Sequence, residues 1–157
     1  MGRALAVGVD LALRLLAATG AGFALGAPVS ASKRTGGIRT HALVTLGATL
    51  FCLTGRRTGA GSDELVRIIQ GIATGVGFVG AATVVKRSGY ILGVTTAASI
   101  WIAGAVGCEI GLGNAMIGFL IALVVAGLNA GLLALERRFG LGRTRRMKPP
   151  REDAQHA

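Results

Sequence analysis

Four charged side chains fall inside long apolar stretches of this sequence: Asp10, Arg14, Arg67 and Glu109. A charge at the middle of a helix in hydrocarbon costs about 2.5–3.5 kcal/mol on insertion scales, so such residues mark candidate proton, ion or partner chemistry. Asp10 and Arg14 are four apart and share a helix face, where they either neutralise one another or serve a site. Arg67 stands within a turn of Asp63 and Glu64, and the same two readings apply to it. Glu109 has no basic neighbour in its own segment and is flanked by Gly107 and Gly111. It is expected inside a helix bundle, either bonded to Arg14 or Arg67 of another helix or held protonated. The alternative is a helix that ends sooner and leaves Glu109 at the outer interface.

Other residue types that do chemistry are sparse. Arg39, Thr40 and His41 stand together at the start of an apolar run, and Thr95, Thr96 and Trp101 lie near the start of another. Each has a plain structural use: Arg39 snorkelling to headgroups, Thr40 capping a helix, His41 satisfied at a helix end. Gly75, Gly77 and Gly80 spell G-x-G-x-x-G, the form of a dinucleotide fingerprint. That fingerprint needs a preceding strand and an acid about 20 residues on. Here it lies within an apolar run, with no Asp or Glu between Glu64 and Glu109, and the nucleotide reading is rejected. Cys52 and Cys108 lack zinc-site spacing, so neither a metal nor a disulfide is implied. No nucleophile–base pair is visible; the chain is read as non-enzymatic and without a cofactor.

The elements that hold these residues are set by composition. Of 157 residues 52% are hydrophobic and 15% charged, with a mean hydropathy of +0.62, and the charges cluster in blocks between apolar runs. Only helices and closed barrels satisfy every backbone group in lipid, and a helix needs about 20 residues to cross it. Five spans follow: residues 4–27, 38–55, 65–85, 91–113 and 115–135. Pro28 opens the first loop, residues 86–90 form a short basic turn, and Asn114 divides the last two spans. The fold class is therefore all-α, a polytopic membrane protein with a bundle of about five transmembrane helices over residues 4–135. Residues 136–157 form a basic cytoplasmic tail, expected to be disordered or to lie on anionic lipid.

Seventeen Lys and Arg against seven Asp and Glu give a net charge of +10. Seven of the basic residues lie between Arg137 and Arg151, and the chain has five Phe, one Trp and one Tyr for stacking bases. A juxtamembrane tail explains the charge better than nucleic acid does, which is not a partner here. Arg3, Arg56 and Arg57 fall on one side of the membrane, and Lys33, Arg34, Arg39, Lys86, Arg87 and the tail on the other. The basic side faces the cytoplasm, which places the N-terminus outside. Asp10 and Arg14 interrupt the uncharged core that a cleaved signal peptide requires, so the first helix is retained.

Small-xxx-small spacing recurs at Gly22 and Gly26, Gly71 and Gly75, Gly107 and Gly111, and Gly127 and Gly131. In lipid, close van der Waals contact between backbones replaces the hydrophobic drive. A tight bundle is expected, with the run from Gly71 through Gly75 and Gly77 to Gly80 at its centre.

Three blocks carry a resemblance. G-G-I-R-T-H-A-L-V-T-L-G-A at residues 36–48, R-I-I-Q-G-I-A-T-G-V-G-F-V-G-A-A-T at 67–83 and G-V-T-T-A-A-S-I-W at 93–101 resemble the transmembrane domain of the MgtC/SapB family in order and spacing. The resemblance implies a bacterial inner-membrane domain of about five helices, often described as magnesium transporter-like. It also implies a link to magnesium limitation and virulence, with some members restraining the membrane ATP synthase instead of moving ions. Carried over by position, the functional set is Arg39, Thr40, His41, Asp63, Glu64, Thr95, Thr96 and Trp101, with Gly75, Gly77 and Gly80; Asp10, Arg14, Gly22 and Gly26 match the first helix. Where the family usually has Leu-Glu-Arg-Glu, this chain reads Ala27, Pro28, Val29 and Ser30. Longer members add a soluble C-terminal domain, which this short member is expected to lack.

Two functions follow as expectations. One is magnesium transport or magnesium homeostasis at the inner membrane. The other is a non-transporting regulator that packs its small-residue faces against another membrane complex, such as the ATP synthase, or against copies of itself.

Overall fold

The computed structural model describes residues 2–32, 35–87 and 90–139. Lys33, Arg34 and the tail beyond Phe139 lie outside the described residues, and with them the expectations of a disordered, lipid-bound tail. Five helices make up almost all of the described chain: α1 (Gly2–Ala31), α2 (Ile38–Arg57), α3 (Ser62–Ala81), α4 (Val94–Leu112) and α5 (Ala115–Phe139). Short turns join them, so consecutive helices run in opposite directions, and α2 and α4 run parallel to each other. We call the two ends of the bundle the N-terminal end, where α1 begins, and the tail end, where α5 leads to the C-terminal segment.

Helix α4 packs against α1, α2, α3 and α5 and is the centre of the bundle. Apart from Glu109 in its last turn, its sequence is apolar or small on every side, as suits a helix packed among others. Ala103, Val106 and Ile110 of α4 meet Ala18, Ala21 and Leu25 of α1 and Ala122 of α5 in the main core. A second cluster joins Ala48 and Cys52 of α2 to Cys108 of α4, with Ile68 and Ile72 of α3 against it. Helix α3 lies at the edge, packed on α4 and α2, with Val66, Phe78 and Val79 exposed.

Helices α1, α3, α4 and α5 are long and apolar enough to cross a membrane. Helix α2 matches them in length at 20 residues but carries Arg39, His41, Arg56, Arg57 and four threonines. Its polar residues divide: His41, Thr45 and Thr49 are buried in the seam with α4, while Arg39, Arg56 and Arg57 are exposed near the helix ends.

Two boundaries differ from the sequence expectation, while the break before Ala115 falls where it is expected. Helix α1 continues through Pro28 to Ala31, although the proline forfeits one backbone hydrogen bond, and Val29 in this last turn is buried at 5% exposure. Ser30 then accepts a hydrogen bond from Ile38 N at 2.9 Å and starts α2. Residues 82–93 are neither span nor simple turn: Val85–Arg87 (β1) pairs antiparallel with Tyr90–Leu92 (β2), Val85 opposite Leu92. Gly93 closes this hairpin with φ +91°, where a Cβ would run into the Thr83 carbonyl. Gly113, φ +113°, stops α4, and α5 begins two residues later.

Candidate functional site

The parallel seam between α2 and α4 carries the buried polar groups. His41, Thr45 and Thr49 stand at four-residue intervals on one face of α2, all fully buried. Thr45 donates to His41 O at 2.9 Å; Thr49 shares its hydroxyl proton between Thr45 O and Gly107 O, both at 2.9 Å. The second of these crosses to α4. It is possible because Gly107 and Gly111 have no side chains: a Cβ on Gly107 would meet Ala48 Cβ at 2.7 Å and the Thr45 carbonyl, and one on Gly111 would meet Cys52 Cβ at 2.6 Å. Cys52 and Cys108 lie side by side in this seam as free thiols.

At the tail end of the seam His41 Nε2 lies 2.9 Å from Ser99 Oγ, and Nδ1 lies 3.0 Å from Gly37 O. Ser99 Oγ is also 2.9 Å from Thr96 O. A carbonyl only accepts, so Nδ1 carries a proton, and Ser99 has one proton for two acceptors. With a neutral ring that proton goes to Nε2. With a protonated ring Nε2 donates to Ser99 and Ser99 donates to Thr96 O. The trio therefore couples a ring protonation to the first turns of α2 and α4.

Beside it, α1, α4 and α5 enclose a cavity of about 210 Å3 edged by Ser32, Thr95, Thr96, Asn129 and Glu136. Thr96 is 1% exposed, and its hydroxyl has no hydrogen-bond partner among the described residues. The lining offers oxygen ligands of the kind hard cations and water accept.

The N-terminal end is charged. Arg14 Nε donates to Asp10 Oδ2 at 2.8 Å, so this pair does neutralise itself in part, and Arg14 Nη1 reaches Ile110 O at 3.3 Å. Arg56 Nη1 donates to Leu112 O. Glu109 is not held by Arg14 or Arg67. It sits half-buried in the last turn of α4 and accepts a hydrogen bond from Asn114 Nδ2 at 2.9 Å. The stop at Gly113 is the reason, because it leaves only three residues of helix between Glu109 and the bundle end.

The glycine run of α3 is not the packing centre. A Cβ on Gly71, Gly75 or Gly77 would meet nothing within 4 Å; only Gly80 is enclosed, 3.2 Å from Ala97 O. Spacing marks a small-residue face without saying whether protein or lipid lies on it. The close approaches belong to α1 and α4 against α2. A Cβ on Gly22 would stand 2.5 Å from Ala42 Cα, and one on Gly26 would stand 2.5 Å from Ile38 Cα. Between α2 and α3 runs an open apolar groove of about 510 Å3, edged by Leu43, Phe51, Ile68 and Ile72 with Gly47, Gly71 and Gly75.

The other expected residues are dispersed. Glu64 turns back to accept Gly61 N at 2.7 Å, and with Asp63 it forms the acidic first turn of α3, where the helix dipole favours acids. Arg67 and Arg39 are exposed, Thr40 is half-buried, Thr95 is exposed at the cavity edge, and Trp101 is 54% exposed on α4. Of the expected set, the fold unites His41 and Thr96, through Ser99. Sequence reasoning passed over Ser99, Thr45, Thr49 and Arg56; the His41, Thr45, Thr49 interval in an apolar run was the signal for two of them.

Comparison with known proteins agrees with this bundle. The chain matches the MgtC family over residues 15–138. It is 38% identical to protein SrpB of Synechococcus elongatus over 125 residues, covering 71% of this chain and 69% of that protein. It is 37% identical to protein MgtC of Salmonella typhimurium over 114 residues, 71% of this chain and 48% of the relative. It is 35% identical to the putative magnesium transporter YhiD of Escherichia coli over 111 residues, 66% of this chain and 52% of the relative. The chain thus spans about half the length of the last two. No solved structure matches it. With its blocks in family order on a five-helix membrane bundle, the chain belongs to the MgtC family.

Proposed function

We propose that this protein acts at the bacterial inner membrane in adaptation to low magnesium, as a regulator that contacts another membrane protein and neither carries ions nor catalyses a reaction. The observation that carries the proposal is the outward face of α3. Gln70 is exposed near the middle of this helix, its amide has no hydrogen bond among the described residues, and Gly77, two turns on along the same face, is open, as are Gly71 and Gly75 on the side toward the α2–α3 groove. An amide facing hydrocarbon is costly, and small residues let a second helix approach closely enough to satisfy it. The partner is another membrane complex, with a second copy of this chain as the competing occupant.

The distribution of acids supports the same reading. Asp10 and Glu109 stand at the N-terminal end, Asp63 and Glu64 in the first turn of α3, and Glu136 in the last turn of α5. Mg2+ sheds water reluctantly and is held by carboxylates in near-octahedral geometry. The middle of the bundle instead offers hydroxyls already bonded to backbone. The basic tail in the cytoplasm and the N-terminus outside complete the proposed topology.

Photo-crosslinkers at Gln70 and at Val124, 70% exposed on α5, test the surface in living cells. A protein adduct at position 70 and lipid alone at 124 is the expected result. Lipid alone at both positions overturns the regulator reading. The oxygen-edged cavity beside Thr96, together with the likeness to the putative magnesium transporter YhiD, favours ion transport as the second reading.

A further inference from the structure

At the N-terminal end α1 and α2 bound a cleft of about 400 Å3 lined by Asp10, Arg14, Arg56 and Arg57, with Val7, Leu11 and Leu53 as its apolar walls. The cations outnumber the acid three to one. Gly113 brings two of them together: a Cβ on it would stand 2.5 Å from Arg56 Nη1 and 3.4 Å from Arg14 Nη1. Two guanidinium groups are thus held side by side over a single glycine, an arrangement that like-charge repulsion opposes.

Their protein partners satisfy only part of them. The carbonyls of Ile110 and Leu112 at the end of α4 take one Nη1 from each, and Asp10 takes Arg14 Nε. A guanidinium carries five N–H donors, so most remain for something else. Arg57 lines the same cleft and has no hydrogen bond or ion pair among the described residues. Capping the end of α4 explains one donor each of Arg14 and Arg56. It does not explain Arg57, nor the open volume in front of all three.

We propose that this cleft binds a phosphate group, with the guanidinium forks on its oxygens and the apolar walls against the organic part of the ligand. Planar forks match phosphate oxygens two at a time, which gives arginine its advantage over lysine for this ligand. The chemistry is shared by an anionic phospholipid headgroup and by a free phosphate or phosphate ester. It is separate from the α3 face and from Arg137 and Arg138, which end α5 at the other end of the bundle.

The test measures binding to the purified full chain in neutral detergent by calorimetry. The probes are short-chain phosphatidylglycerol and, separately, inorganic phosphate. The proteins are wild type, R56Q/R57Q and, as a control at the opposite end, K86Q. Binding of phosphatidylglycerol that weakens about tenfold or more in R56Q/R57Q and is unchanged in K86Q supports the site and names lipid as its source. The same pattern with inorganic phosphate supports the site and names a free phosphate. Binding of neither probe by wild type, or equal binding by R56Q/R57Q, overturns it. If the double variant does not fold, R57Q alone decides, since the Arg57 side chain bonds nothing among the described residues: affinity equal to wild type overturns the proposal, and a loss supports it.

Discussion

Replacing Gly107 with alanine adds one methyl group to the α2–α4 seam, where it would meet the Thr45 carbonyl and, at 2.7 Å, Ala48 Cβ. The first neighbour is backbone and cannot rotate away, so the helices must part. Overpacking of this kind costs up to about 3 kcal/mol. Parting also weakens the bond from Thr49 to Gly107 O, worth about 0.6 kcal/mol for an interhelical hydrogen bond in a membrane protein. The better helix propensity of alanine returns about 1 kcal/mol, leaving a net loss of about 2–3 kcal/mol. The same change at Gly75 meets nothing within 4 Å and keeps the propensity gain, so it should be neutral or stabilising by up to about 1 kcal/mol. Unfolding by sodium dodecyl sulfate, followed through Trp101, the only tryptophan, separates the two by about 2–4 kcal/mol. Equal midpoints, or a lower midpoint for the Gly75 variant, would refute the placement of the packing centre.

Thr49→Val keeps the shape of a buried side chain and removes the proton shared with Gly107 O; it should cost about 0.6–1.7 kcal/mol, while the same change at exposed Thr54 should cost nothing measurable in the same assay. His41→Leu leaves Ser99 and the Gly37 carbonyl without their ring partner and should cost about 1–3 kcal/mol, against no loss for exposed Arg39→Leu. A cytoplasm-active reporter fused after Ala157 should be active, and activity of a periplasmic reporter at that point would reverse the topology.

The helices were legible because apolar runs of bilayer length leave little choice, and the charges between them mark the turns. The hairpin at Val85–Leu92 was not, because three-residue strands are too short for a period to register. The glycines show the limit most plainly. Gly71 with Gly75 and Gly107 with Gly111 have the same spacing, yet the first pair is open and the second is jammed against α2. Only the three-dimensional neighbours distinguish them. The same holds for His41 and Ser99, and for Thr49 and Gly107, each pair 58 residues apart. Their constant offset is the register of two parallel helices, set by long-range packing. Glu109 drew attention as a charge among glycines, but the role it takes, accepting Asn114 at a helix end, depends on where Gly113 stops α4.

The central claim is that this bundle contacts another protein in the membrane and does not conduct. Magnesium uptake into proteoliposomes holding the purified full chain, read with an enclosed indicator against protein-free vesicles, tests it most directly. The expected result is no saturable uptake at any imposed gradient, with the crosslink through position 70 still forming in cells. Saturable, protein-dependent uptake that is lost on replacing Thr96 and Asn129 at the oxygen-edged cavity would contradict it.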